Sequence, residues 1–141
     1  MIKMTGNGAS TARTFTVKNS VTVKKGELLT IQTSDGLVDK TIAGEVCHLV
    51  ALDESSRDAD GTLVTSGATV TAVPVGGVLF VACNGGETWT AADEIFVGAD
   101  GQATESNASS AKKLGIYLGA AIGTTVDGTL VAVNTNGAEQ I

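Results

Sequence analysis

Apolar runs in this chain are short, and most are bounded by glycine. Leu28–Ile31 lies between Gly26 and the pair Asp35-Gly36, "VLFVACN" ends at Gly85-Gly86, and "TLVAVN" starts after Asp127-Gly128. A helix needs roughly ten residues with apolar positions returning every three to four, and no segment supplies that period. Turn signals recur instead at the spacing of about eight to twelve residues that marks a sandwich or barrel. Composition points the same way, with eighteen glycines against one proline and only 4% aromatic residues, so the core must be Val, Leu, Ile and Ala. The expected fold is all-β: a compact β-barrel or sandwich of short strands with tight Gly turns, preceded by an extended N-terminal arm.

Charge supplies the arm. Five of the nine bases (Lys3, Arg13, Lys18, Lys24 and Lys25) fall in the first 25 residues, and all fifteen acids fall after them. The expected division is a basic N-terminal arm over residues 1–20 and a single β domain over 21–141. A net charge of −6 argues against nucleic acid as a partner. No apolar run approaches the ~20 residues of a membrane span, and the start lacks the apolar block of a secretory signal. The expectation is synthesis in a cytoplasm, with no membrane partner.

Within the body, "EVCHLVALD" reads as a strand, "GVLFVACNGG" as a buried strand, and Thr62–Thr65 with Thr69–Val73 as a hairpin about Ser66-Gly67. "NASSAKKLG" has room for one short helical turn. The stretch from Thr88 to Ser106 places Asp93, Glu94, Asp100 and Glu105 around the apolar run Ile95–Val97. Four carboxylates could suggest acid–base or metal chemistry. Asp100-Gly101, however, is the turn chemistry of a two-residue hairpin between Ile95–Val97 and Gln102–Thr104, since Gly takes positive φ freely and Asp tolerates it.

Catalytic parts are scarce. His48 is the one histidine, and its neighbour Cys47 points to the opposite face of a strand, so the two form no dyad. Two cysteines and one histidine at this spacing match no zinc site, and Cys83 reads as a small buried hydrophobe. "SRDADG" imitates a calcium loop with Ser56, Asp58 and Asp60, but the closing acid is missing because the twelfth position is Gly67. The expectation is a protein that is not an enzyme and has no cofactor or metal.

The order of the segments is similar to that of a known family. "TVKKGELLTI", "VPVGGVLFVA", "AADEIFVGADGQAT", "KKLGIYLGAAI" and "DGTLVAVN", together covering about residues 22–134, resemble the capsid decoration, or cement, proteins of tailed bacteriophages. Asp93-Glu94 departs from the family's glycine–acid pair at that place. The resemblance implies a structural virion protein on the outer surface of the expanded capsid. Its partners would be the major capsid protein and its own copies, as a homotrimer or dimer. The basic residues Lys3, Arg13, Lys18, Lys24 and Lys25 are then candidates for capsid binding. A head-fibre base, or a module that binds host or glycan through Trp89 or Tyr117, is the alternative.

Overall fold

The computed structural model describes residues 11–108 and 110–140. Its strands are β1 (Arg13–Thr16), β2 (Leu28–Ile31), β3 (Val38–Lys40), β4 (Leu49–Ala51), β5 (Thr69–Pro74), β6 (Val78–Ala82), β7 (Glu94–Val97), β8 (Ala103–Thr104), β9 (Lys113–Tyr117) and β10 (Leu130–Asn134). The all-β expectation holds. The strands form two five-stranded antiparallel sheets, ordered β1-β5-β4-β2-β3 and β6-β10-β9-β7-β8. Each sheet curls until its ends meet. Val17, just after β1, bridges Val38 in parallel, and Cys83, just after β6, bridges Ala103 in the same way.

The two orders are one topology written twice: numbering the second sheet from its own first strand reproduces the order of the first. The hydrogen bonds repeat with it. Gly26 N–H donates to Ala51 O and Ala51 N–H to Glu27 O; Ala92 N–H donates to Tyr117 O and Tyr117 N–H to Asp93 O. Lys18 N–H to Val38 O recurs as Asn84 N–H to Ala103 O. In the turn Lys24–Glu27 the Lys24 amide donates to the Glu27 carboxylate, and in Thr90–Asp93 the Thr90 amide donates to Asp93. Left-handed residues coincide as well, Gly26 (φ 84°) with Ala92 (φ 67°) and Ser20 (φ 67°) with Gly86 (φ 75°). The chain folds the same unit twice.

Alternation along the strands fills the space. Val17, Leu29, Val38, Leu49, Ala51, Val70 and Ala72 line the interior of the first curled sheet. Leu28, Val50 and Val73 point to its other face and join the cluster that fills the second, with Val81, Ile95, Val97, Leu114 and Val133. Two bonds knit the units: Ala82 N–H to Gly26 O, and Gly101 N–H to Thr41 O. The Asp100-Gly101 turn has the expected positive φ at both residues (53° and 73°). It closes a three-residue loop between Gly98 and Gln102 rather than a two-residue one, and Gly101 is buried against the first unit.

Three further expectations need correction here. The arm assigned to residues 1–20 does not include residues 13–17, because β1 pairs with β5 and Val17 is in the core; residues 1–10 lie outside the described residues. Thr62–Thr65 forms no strand, its one β contact being the bridge from Leu63 to Arg57. "NASSAKKLG" holds no helix among its described residues, only a turn that closes Ala111 N–H on Ala108 O before β9 begins.

A left-handed alanine costs about 1–2 kcal/mol, more than the extra chain entropy of a glycine there. Ala92→Gly is therefore expected to raise stability in urea by up to about 1 kcal/mol. Gly26→Ala is expected to lower it by more than that, since a Cβ there also meets the Leu130 side chain and lies 3.0 Å from the Ala82 nitrogen.

Candidate interaction surfaces

The residues with most chemical potential are used inside the fold. Cys47 and Cys83 are free thiols and both are buried. Burial pushes the Cys47 thiol up to about 12, and its Sγ donates to Leu49 O at 3.2 Å. Such a thiol forms no appreciable thiolate at neutral pH. In the calcium-like loop, Asp58 accepts the amides of Asp60 and Thr62 at 2.9 and 3.0 Å, and the Ser56 hydroxyl accepts the Thr69 amide. These oxygens close the turn on itself. Among the described residues no group of three His, Cys, Asp or Glu is placed to hold a metal ion.

Glu87 is the polar hub of the second unit. One carboxylate oxygen accepts the Trp89 indole N–H at 2.9 Å and the Glu105 amide at 3.0 Å; the other accepts Asn84 Nδ2 at 2.9 Å and the Thr104 hydroxyl. Four donors fill its acceptor capacity. Desolvation pushes its pKa up, but the bonds from Asn84, Thr104, Glu105 and Trp89 outweigh it and hold the carboxyl below its ordinary value. Trp89 is fully buried and meets Tyr117 edge to face at 5.2 Å, while the Tyr117 hydroxyl donates to Ala120 O. Neither ring is available as a sugar platform, which removes the residues on which a glycan-binding role rested. Glu27 is in the opposite electrostatic state. Burial raises its pKa, and the Lys24 amide with Lys40, 3.8 Å away, only partly offsets that.

The basic residues do not gather on one arm. Arg13 and Lys18 lie at opposite ends of β1, Lys24 and Lys25 are exposed in the turn before β2, and Lys3 lies outside the described residues.

Two surfaces stand out instead. The first is the outward face of β6, β10 and β9. Register sets Phe80 beside Ala132, and Leu118 N–H donates to Ala132 O, so Phe80, Ala132 and Leu118 form one row; Val78, Asn134 and Ile116 form the next. Val78, Phe80 and Leu118 are 56%, 64% and 51% exposed. At the equivalent place the first unit carries Thr14, Thr71 and Leu52. The expected buried strand "VLFVA" is thus buried on one face only. A continuous apolar run cannot distinguish burial on one side from burial on both.

The second surface is a pocket of about 380 Å³ at one end of the first unit, lined among others by Arg13, Phe15, Ile31, His48 and Pro74. Another cavity, of about 330 Å³, is walled largely by Ala, Gly and Ser around Glu87 and Thr104. Its one carboxylate among the described residues, Glu87, has no acceptor site left to offer.

No protein-family model matches the sequence, and no curated protein matches it. Among solved structures, the chain is similar to the N base of head fibre gp8.5 of bacteriophage phi29. The TM-score is 0.63 at 16% identity, over 93% of this chain and 99% of that one. At that identity the likeness establishes the fold.

The two glutamates give opposite pH responses. Glu87, with its folded pKa depressed, stabilises above its unfolded value, and that contribution is lost as pH falls through the folded value. Glu27, with its folded pKa raised, disfavours the folded state as pH rises from its unfolded value through the folded one. Glu87→Gln is expected to cost about 1–3 kcal/mol at pH 7 and progressively less as pH falls through the folded value. Glu27→Gln is expected to be neutral at acid pH and stabilising at pH 7. Urea melts across that range check both.

Proposed function

We propose that this chain is a structural protein of a tailed-phage virion that binds the outer surface of the head shell and acts without catalysis. The observation that carries the reading is the likeness to a phage head-fibre base over nearly the full length of both chains. The interior is consistent with it, because Glu87, Trp89 and Tyr117 are engaged in holding the fold and both thiols are buried.

The physics of the role is that of a many-sided attachment. A protein that touches several coat subunits makes each further contact at high effective concentration. Binding to the expanded shell and not to free subunits stabilises the shell by mass action. Self-association has a natural surface. The chain is acidic, so copies repel one another except where charge is absent, and the patch of Val78, Phe80 and Leu118 carries none. Attachment as cement, spread over the lattice, is the first reading. The base of a fibre is the second, favoured by the same structural likeness.

The test is co-sedimentation with the phage's own empty heads, expanded and unexpanded. Saturable binding to expanded heads is expected, and failure to bind either form would overturn the reading. A rise in the thermal stability of the shell on saturation marks cement, while binding at a few positions without that rise marks a fibre base. Removing residues 1–10, and no more because β1 follows, tests Lys3; weaker binding with an unchanged fold is expected. In sedimentation equilibrium, Phe80→Ser with Leu118→Ser is expected to dissociate oligomers of the free chain to monomers.

A further inference from the structure

We propose that the pocket at the end of the first unit is a socket for a protein segment presenting an apolar side chain beside a carboxylate. Its walls and its charge specify different halves of that ligand. Phe15, Ile31, Leu49 and Pro74 supply apolar surface within a volume of about 380 Å³. Arg13 and His48 supply donors, and among the described residues no Asp or Glu lines the pocket although the chain has fifteen acids. The site is a cationic island on an acidic body.

Both donors are available. Among the described residues Arg13 makes no ion pair. The planar fork of a guanidinium matches a carboxylate. His48 is held in place from behind, because Nδ1 accepts the Ile31 amide at 2.9 Å. In the neutral ring the proton is therefore on Nε2, which is left as a second donor. An apolar ligand with no charge would desolvate Arg13 without compensation. A bare anion would leave the Phe15 and Ile31 walls wet.

The duplication supplies an internal control. Register makes Arg13 equivalent to Leu79, Ile31 to Val97 and Pro74 to Thr135. In the second unit Leu79 packs against the core, and Val97 and Thr135 are buried. Thr135 Oγ1 also accepts the Gly76 amide and donates to Gly77 O, sealing that end. The same fold thus closes this end with a leucine in one unit and opens it with an arginine in the other. Folding does not require the opening.

The segment's assignment to a coat subunit rests on the role proposed above; the pocket chemistry is tested without it. The probe is N-acetyl-leucine, with N-acetyl-leucinamide as its uncharged counterpart, titrated into the full chain by amide NMR. Saturable shifts are expected at Phe15, Ile31 and His48, weakened about tenfold or more for the amide and for Arg13→Gln, the loss of one charge-assisted contact. No saturation, equal affinity for the two probes, or undiminished binding by Arg13→Gln would overturn the site. So would shifts of these amides on deleting residues 1–10 alone, which would make the chain's own amino terminus the occupant. Arg13→Gln, still folded by its amide spectrum, is further expected to weaken binding to expanded heads. Retained head binding with lost probe binding would overturn the coat segment as partner and leave the pocket standing.

Discussion

A strand has two faces, and β2 and β4 bury both, as β5 does only where Val73 follows Ala72. Leu28 and Leu29 are adjacent in the chain yet belong to different cores, and so do Val50 and its neighbours Leu49 and Ala51. Each such Leu or Val side chain contributes about 1.5–3 kcal/mol on burial. Removing either unit would expose apolar residues that only the other unit covers. The joint is also hydrogen-bonded at its rim, through Gly26 and Thr41, so the two curled sheets form one continuous packed body. Everything the surface can do is set out on that body.

Because one backbone plan is used twice, differences between the units carry information that neither unit carries alone. Where the first has Thr14 and Thr71, which suit water, the second has Phe80 and Ala132, which do not. Where the second plugs its end with Leu79, the first holds Arg13 over an open pocket. The turn before the second strand shows the reverse case, in which the backbone demand is shared but met unequally. Gly26 takes the left-handed conformation without cost, and Ala92 takes the same one with strain. That strain is held by the Tyr117 carbonyl and the Asp93 side chain on either side of it.

The polar interior serves position rather than reaction. Glu87 holds Trp89, Asn84, Thr104 and Glu105 around one carboxylate, tying a loop, a ring and β8 together. A group with four donors on it has neither a lone pair to accept a further proton readily nor room for a ligand. The parts free to meet a partner are at the edges: the outward face of β6, β10 and β9, the end of the first unit, and the exposed turn of Lys24 and Lys25.

Much of this was legible in the sequence, and the boundary has a physical cause. Turn residues act locally, so Asp35-Gly36, Asp100-Gly101 and Asp127-Gly128 marked their turns, and the runs between them marked β2, β7 and β10. The likeness of the two halves was not legible, because Val, Leu, Ile and Thr can exchange along a strand while its register is kept. The weak alternation of "TFTVKNSVTV" marked a strand from about residue 14, but charge drew an arm over the same residues, and only pairing with β5 and Val38 makes Val17 a core residue. Local chemistry alone determined that this chain is short strands and tight turns around an aliphatic core. Which apolar residues face water, and which basic residue sits over a pocket, was decided by tertiary structure, because facing and neighbourhood are properties of strands brought together from distant parts of the chain.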